Sequence, residues 1–194
     1  MEELGLPYEL RWYHRRKEDN FLPTEYLALH PAATAPVITD GERAVGESAA
    51  IVEYVCHRYG GGRFTVRPEQ SNYADYLYWM QFNNNVLGLF LAGMALGCAT
   101  PGPAAERVES LVKRRENNYY GYLEQRLGEL PYLAGAEFTC ADIMSMFNLT
   151  SIPLFGGRGI DGMPNTQAYV KRVTARPAYI KAMAIEGPAA TPPT

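Results

Sequence analysis

The chain has 194 residues, which is enough for one large domain or two small ones with an ample apolar core. Its net charge of −3 gives no support for nucleic-acid binding, because that function would call for a basic face. No apolar run approaches the roughly 18 residues needed to span a membrane, and the acidic start differs from a signal peptide. These features predict a cytosolic globular protein with neither a nucleic-acid nor a membrane partner.

Strand and helix signals alternate through the first third of the chain. Asp40-Gly41 lies between two strand-like runs and favours a tight hairpin. Apolar side chains at i, i+3, i+4 spacing after Ser48 indicate an amphipathic helix, which the glycine run at residues 60–62 ends. The pattern predicts strands at residues 8–14, 37–39 and 43–45 and short helices at residues 23–28 and 48–58.

Helical patterns take over from about residue 71. Thr139 and Asp142 form a capping box, with Phe138 and Ile143 placed for a hydrophobic staple. Since such a box satisfies backbone N–H groups at a helix start, we interpret Asp142 as structural rather than as an acid or base. The pattern predicts further helices at residues 72–96, 104–130, 164–175 and 178–184.

Cysteine and histidine are few and scattered. The cysteines form no C-x-x-C pattern, and neither they nor the histidines show the spacing of metal ligands. We therefore expect no metal site, and we interpret the cysteines as buried structural thiols. The residues concerned are Cys56, Cys98, Cys140, His14, His30 and His57.

The strongest functional pattern lies between residues 30 and 60. Glu47 offers a carboxylate to an ammonium, and the Ser48 hydroxyl with the free N–H groups of the following helix can receive a carboxylate. Ala35, just before Pro36, is pushed to an extended backbone, so its N–H and C=O can pair with a peptide. The pattern predicts a site for a small zwitterionic peptide, with glutathione as the candidate. The alternative is that Ser48 only caps the helix and Glu47 only favours its dipole.

Four segments carry a resemblance to the glutathione S-transferase family, and they occur in the family's order over about residues 2–183. The segments are HPAATAPVITDGERAVGESAAIVEYV, YADYLYWMQF, LPYLAGAEFTCADIM and MPNTQAYVKRVTARPAYIKAM. The resemblance implies an α/β domain followed by an all-α domain, that is, a truncated thioredoxin-like domain and a helical bundle. The implied bounds are 1–62 for the glutathione-binding domain, 71–185 for the helical domain, and 186–194 for a disordered tail.

The resemblance also implies a cis peptide bond at Ala35-Pro36 and glutathione, as co-substrate, at Ala35, Pro36, Glu47 and Ser48. Relatives commonly carry Lys or Arg at the position of Thr34, so one contact to the peptide's carboxylate is missing here. A small apolar electrophile would bind against the helical domain, where Tyr119 and Tyr120 are the candidate contacts. The family further implies a homodimer and a role in detoxification.

The family's catalytic residue has no counterpart among these residues. Relatives have an opening strand and most of a helix before the sequence that resembles EELGLPYEL, and the catalytic Ser, Tyr or Cys lies just after that strand. We therefore assign no catalytic residue. Two explanations stay open: the native protein is longer, with the missing strand pairing beside residues 8–14, or the protein has lost its catalytic residue; we favour the first.

Three functions stay open at this stage. The first is conjugation of glutathione to small electrophiles, with the thiol activated by a hydrogen bond from a hydroxyl. The second is a non-catalytic binding or regulatory module, and the third is a glutathione-dependent isomerase. The run Asn83-Asn84-Asn85 is equally open: it fits an exposed face, a helix irregularity or a polar contact to ligand.

Overall fold

A computed structural model describes residues 1–19, 21–98 and 100–190. These residues divide into two compact units, one formed by residues 1–65 with the segment from residue 177 onward, the other by residues 66–176. The domain bounds expected from the sequence stay a prediction, and residues 191–194 of the expected tail lie outside the described residues. The elements are α1 (Thr24–Leu27), β1 (Val37–Asp40), β2 (Arg43–Gly46), α2 (Ser48–Arg58), α3 (Tyr73–Gly97), α4 (Pro103–Glu129), α5 (Cys140–Met146), α6 (Pro164–Thr174) and α7 (Pro177–Glu186).

The first unit is built around an antiparallel hairpin. β1 and β2 pair from Val37 with Gly46 to Asp40 with Arg43, so each strand is one residue longer than expected, β1 by Asp40 and β2 by Gly46. The two-residue turn is therefore Gly41-Glu42 rather than Asp40-Gly41. Gly41 has φ +59, and glycine at the first turn position suits the twist of a hairpin because it adopts positive φ without steric cost.

The strand expected at residues 8–14 is wrong. Within the described part of the chain the sheet has two strands, and residues 8–14 form no ladder. The reason is that a strand exists only with a hydrogen-bonded neighbour, and the described residues supply none beside this segment. Its alternating aromatics alone do not create a strand.

The chain start and α7 belong to the same unit and contact each other. The Lys181 ammonium lies 2.7 Å from the Glu2 carboxylate, and the Tyr8 hydroxyl donates to the other Glu2 oxygen at 2.9 Å. Gly60 ends α2 close to Leu4, where an added Cβ would come within 2.9 Å of the leucine side chain. These contacts tie the first residues to α2 and α7.

The second unit is an all-helical bundle around α3, α4 and α5. Its largest fully buried side chains are aromatic, with Trp79 and Tyr76 from α3, Tyr120 from α4 and Tyr169 from α6. Pro164 opens α6 in its first turn, as expected, because proline has no N–H to lose there. Aromatic side chains of α3, α4 and α6 therefore form much of the core of this unit.

The predicted capping box at α5 is confirmed. The buried Asp142 carboxylate accepts from the Thr139 N–H at 2.7 Å, the Leu133 N–H at 3.0 Å and the Tyr169 hydroxyl at 2.8 Å. Burial raises the pKa of Asp142, and burial beside this carboxylate raises the pKa of Tyr169. The carboxylate therefore joins three parts of the bundle, as a structural group would.

The continuation of α5 was not foreseen. The helix widens into a π-helical segment, Phe147–Ser151, and then tightens into a 3-10 turn, Ile152–Phe155. Pro153 has no N–H to offer the carbonyl of Leu149, and the Thr150 hydroxyl donates to the Met146 carbonyl at 2.7 Å. Both features loosen the α-helical hydrogen bonding at this point.

Three further findings concern the thiols, membrane-spanning helices and metal-binding side chains. Cys56 and Cys140 are buried thiols as predicted, but Cys98 is exposed, because it caps the end of α3 where the helix leaves the core. Searched through the described residues, no helix is both long and apolar enough to cross a membrane. The same residues contain no cluster of three or more His, Cys, Asp or Glu side chains suited to a metal ion.

Candidate functional site

The hairpin register brings the two halves of the candidate site together. Val37 pairs with Gly46, so Pro36 and Glu47 each lie one residue beyond the same end of the ladder. Ala35-Pro36 is a cis peptide bond, as predicted. Two dipeptides that lie ten residues apart in sequence, Ala35-Pro36 and Glu47-Ser48, are thereby held at one edge of the unit.

Glu47 is the turn between β2 and α2. Its φ of 68 lies in the left-handed region, which side chains other than glycine adopt at a cost, and its carboxylate is exposed. Its carbonyl accepts the first α-helical hydrogen bond, from the Ile51 N–H at 2.9 Å. The side chain makes no capping bond to the helix, so the carboxylate is available to a cationic ligand.

Ser48 is the first residue of α2 and is half-buried. The first N–H groups of an α-helix have no partner within the helix, and the helix dipole places positive charge there. A hydroxyl beside such N–H groups can bind a carboxylate. The α2 start thus offers anion recognition directly beside the Glu47 carboxylate.

The loop in front of the cis bond is held by hydrogen bonds within the first unit. The Ala33 N–H donates to the His30 carbonyl at 2.9 Å, and the Tyr26 hydroxyl donates to the Thr34 carbonyl at 3.3 Å. Ala33 has φ 51, a conformation that glycine adopts more cheaply. Ala35 itself is exposed, so its backbone can be reached by a peptide.

His30 joins this loop to the end of β2. A Cβ on Gly46 would meet the His30 imidazole at 3.4 Å, so the ring lies directly over the glycine that precedes Glu47. The Ala32 N–H donates to Nδ1 of the same ring at 3.2 Å. The sequence showed His30 and Gly46 only as separate residues, and no periodic signal could have paired them.

A second anchor, also missed from the sequence, attaches the hairpin to α2. The Asp40 carboxylate accepts from the Tyr54 hydroxyl and from the Tyr59 hydroxyl, both at 2.5 Å. These two hydrogen bonds lower the pKa of Asp40, and the shared carboxylate raises the pKa of both tyrosines. An acid at a hairpin turn followed by tyrosines on the next helix was the only available signal.

Two open depressions lie on the described surface, and neither contains Glu47 or Ser48. One lies beside the hairpin turn and the other along α4. The candidate site is therefore defined by the arrangement of its own side chains and backbone and not by either depression. The first is lined by Asp40, Gly41, Glu42, Arg43, Tyr54 and Arg58, the second by Glu106, Glu109, Ser110, Lys113, Arg114, Asn117 and Asn118.

The expected electrophile contacts, Tyr119 and Tyr120, lie in the helical unit and differ in exposure. Tyr119 is half-buried with its ring 5.5 Å from that of Phe82. Tyr120 is 1% exposed, its ring lies under the Arg158 guanidinium, and burial raises its pKa to about 12. Tyr119 could reach a ligand from the surface, whereas Tyr120 is a core residue.

The three consecutive asparagines on α3 also differ in exposure. Asn83 is buried, while Asn84 and Asn85 are exposed. The Asn83 carbonyl accepts a hydrogen bond from the Asn148 amide at 3.0 Å. The run is therefore an exposed helix face with one residue turned into the bundle.

Comparison with known proteins agrees with this architecture. Residues 1–63 match the family model for the glutathione S-transferase N-terminal domain, and residues 89–177 match the model for its C-terminal domain. The chain is a member of the glutathione S-transferase family, and it has that family's fold.

Individual relatives are of moderate similarity. Glutathione S-transferase 3 of Schizosaccharomyces pombe is 28% identical over 197 residues, which cover 92% of this chain and 77% of the relative. A glutathione S-transferase structure from Actinobacillus pleuropneumoniae matches with a TM-score of 0.81 at 28% identity, over 94% of this chain and 82% of that one. Glutathione transferase URE2P6 from Phanerochaete chrysosporium, solved in complex with oxidized glutathione, matches with a TM-score of 0.68 at 26% identity, over 93% and 84%.

Proposed function

We propose that this protein binds glutathione at the edge formed by Ala35, Pro36, Glu47 and Ser48 and conjugates it to small apolar electrophiles. The observation that carries the proposal is the hairpin register, which sets the Ala35-Pro36 loop beside the start of α2. A carboxylate, a hydroxyl, helix N–H groups and an exposed backbone amide are then available to one small peptide.

The γ-glutamyl end of glutathione supplies the matching charges. Its ammonium would pair with the exposed Glu47 carboxylate, and its carboxylate would accept hydrogen bonds from Ser48 and the first N–H groups of α2. The peptide backbone beyond it would lie along Ala35, exchanging hydrogen bonds as a short added strand does. Hydrogen bonds between charged groups are the stronger ones, so the ammonium and carboxylate are expected to dominate the affinity.

The affinity is expected to be modest for two reasons. Thr34 offers no positive charge to the second carboxylate of glutathione, and the site edge is exposed to solvent. Charge pairs in high dielectric gain less than buried ones. A Thr34→Lys variant should therefore bind glutathione more tightly than the parent.

The conjugation step transfers the thiol sulfur. The glutathione S–H loses its proton, the thiolate forms a new S–C bond, and the electrophile either releases a leaving group or takes up a proton. A hydroxyl that donates a hydrogen bond to the sulfur would favour the thiolate and lower the thiol pKa. We assign no residue to this hydroxyl. Tyr119, with its half-buried ring, is the proposed contact for the electrophile, and Tyr120 could act only from within the core.

We further propose a homodimer located in the cytosol, where glutathione is the main thiol buffer. Exposed apolar side chains on α3 and α4 support a second copy as partner, since large exposed apolar groups mark interaction surfaces. The mass in solution, measured by light scattering, should be twice 21.6 kDa. These side chains are Leu77, Tyr78, Leu91, Met94, Val108, Leu111 and Tyr122.

The proposal is tested by titrating the protein with glutathione and, as a matched control ligand, with N-acetylglutathione, which lacks the ammonium. Binding of glutathione with at least tenfold weaker binding of the control is expected. Incubation with an activated aryl chloride should then yield the thioether and chloride, detected by mass spectrometry. Binding without thioether would overturn the transferase activity, and equal binding of both ligands would overturn the proposed site.

A further inference from the structure

The helical unit contains polar atoms that are buried without a protein partner. Within the described ranges they are Trp79 Nε1, Asn83 Oδ1, Asn148 Oδ1 and the Tyr120 hydroxyl. Leaving such an atom unbonded costs about 1–3 kcal/mol, so each one calls for an explanation. Asn83 of α3 and Asn148 of the π-helical segment are joined by a hydrogen bond, and Trp79 lies about one turn before Asn83 on α3.

The orientation of Asn148 is fixed by its donor. The side-chain amide nitrogen of Asn148 donates to the backbone carbonyl of Asn83 at 3.0 Å, so the side-chain oxygen of Asn148 is turned away from that carbonyl. The second orphan oxygen belongs to the side chain of Asn83, the same residue that receives this bond. Asn83 Oδ1 and Asn148 Oδ1 are therefore both acceptors, and they belong to the two residues that this hydrogen bond joins. Two acceptors cannot form a hydrogen bond with each other.

The third buried atom without a protein partner, Trp79 Nε1, is a hydrogen-bond donor. Trp79 precedes Asn83 by four residues on α3, which places both side chains on one face of the helix. A group that serves all three atoms must donate two hydrogen bonds and accept one. An ammonium ion accepts none and a chloride ion donates none, whereas water does both.

Burial limits the size of the bound group. Trp79 is 0% exposed, Asn148 1% and Asn83 5%, so nothing larger than a few atoms could reach these groups without opening the bundle. Internal waters typically make about three hydrogen bonds to buried polar groups, which matches the three orphans here.

We propose that one internal water molecule binds between α3 and the π-helical segment, donating to Asn83 Oδ1 and Asn148 Oδ1 and accepting from Trp79 Nε1. It joins the widened turn to the long helix at the point where the α-helical hydrogen bonding loosens. All its residues lie in the helical unit, whereas the proposed glutathione contacts Ala35, Pro36, Glu47 and Ser48 lie in the first unit.

Water-selective NOE and ROE spectra of the ¹⁵N-labelled protein test the proposal directly. A held water should give cross-peaks of opposite sign in the two spectra at the Trp79 indole N–H and at the Asn83 and Asn148 amides. The exposed Asn84 and Asn85 amides should lack this signature. Absence of the signature at Trp79 and both buried amides would overturn the proposal without any variant.

A variant pair gives a second, independent test. Asn148→Leu keeps the approximate shape but removes both the amide oxygen and the amide N–H that donates to the Asn83 backbone carbonyl, so the cross-peak at Trp79 should disappear and the unfolding equilibrium constant should rise about tenfold. Loss of the hydrogen bond to Asn83 alone also destabilises the protein, so the cross-peak and not the unfolding equilibrium constant decides the test. The control Asn84→Leu should leave both unchanged. A Trp79 cross-peak that persists in Asn148→Leu would contradict the assignment. Should that variant not fold, a high-resolution crystal structure decides by a density peak about 2.7–3.0 Å from both amide oxygens.

Discussion

The two units of the molecule bury their side chains to very different extents. Among the described residues of the first unit only Val55 and Cys56 are buried and apolar, whereas the helical unit fills its core with Trp79, Leu123, Tyr169 and many others. The candidate site lies on the unit with the smaller core. Its geometry comes from a hairpin register, a cis bond and hydrogen bonds to Asp40, so substitutions there should change binding more than global stability.

The largest loss of stability is expected from Asp142→Ala in the helical unit. The change leaves the Leu133 and Thr139 N–H groups and the Tyr169 hydroxyl buried without an acceptor. Several such losses together should cost about 3–5 kcal/mol in the free energy of unfolding, measured with denaturant. The exposed Asp161→Ala is the control and should stay within about 0.5 kcal/mol of the parent. Equal effects of the two variants would show that Asp142 does not organise the bundle.

The largest effect on binding is expected from Glu47→Gln in the first unit. Loss of a hydrogen bond between charged groups costs about 1.5–3 kcal/mol, so glutathione should bind about 10- to 100-fold more weakly by calorimetric titration. The free energy of unfolding should change little, because the side chain is exposed. Glu42→Gln on the hairpin turn is the matched control. An unchanged affinity in Glu47→Gln would remove this residue from the site.

A smaller, pH-dependent effect is expected from Glu124→Gln. The Glu124 carboxylate accepts from the N–H groups of Asn165 and Thr166 at the start of α6, both at 2.9 Å. Burial raises the pKa of Glu124, but the hydrogen bonds from Thr166 and Asn165 outweigh it, so the pKa is lowered overall. Its contribution of about 1 kcal/mol is therefore present above the ordinary pKa of a glutamate and lost as the pH falls through the lowered one.

Unfolding of the parent and of Glu124→Gln should be measured at neutral and at acidic pH. The difference between the two free energies should shrink as the pH falls. The exposed Glu137→Gln should show no such trend. A difference that stays constant down to acidic pH would contradict the role of Glu124 as a charged cap.

The smallest expected changes in stability come from two neighbouring alanines, Ala32 and Ala33, and they have opposite signs. Ala33 has positive φ, so Ala33→Gly should relieve strain and raise the free energy of unfolding by about 0.5–1 kcal/mol. Ala32 lacks this conformation, so Ala32→Gly should destabilise by a similar amount through the greater freedom of the unfolded chain. Thermal unfolding of both variants gives the signs. The same sign for both would show that the loop before the cis bond is unstrained.

Structure that depends on short-range patterns could be predicted from the sequence, whereas structure that depends on distant neighbours could not. The helices of both units, the capping box and the hairpin follow from short-range patterns, and the structure reproduces them within one or two residues. The strand expected at residues 8–14 failed because pairing depends on a neighbouring strand and not on the segment itself.

In the candidate site, too, features within one segment could be predicted, whereas contacts between segments could not. Ala35-Pro36 and Glu47-Ser48 belong to one contiguous segment that resembles the family, and the cis bond that the resemblance implied is confirmed. The contact of His30 with Gly46 and the tyrosine bonds to Asp40 join residues 14 to 19 positions apart, and these depend on packing. The π-helical segment was missed because its cause, Pro153 with threonine back-bonding, resembles an ordinary helix end in sequence.

The most direct test of the account is a crystal structure of this protein with glutathione bound. The account predicts the γ-glutamyl carboxylate on the Ser48 hydroxyl and the first N–H groups of α2, with the ammonium at the Glu47 carboxylate and the peptide backbone along Ala35. Glutathione bound elsewhere, or crystals grown at saturating glutathione that show none at this edge, would contradict the central claim.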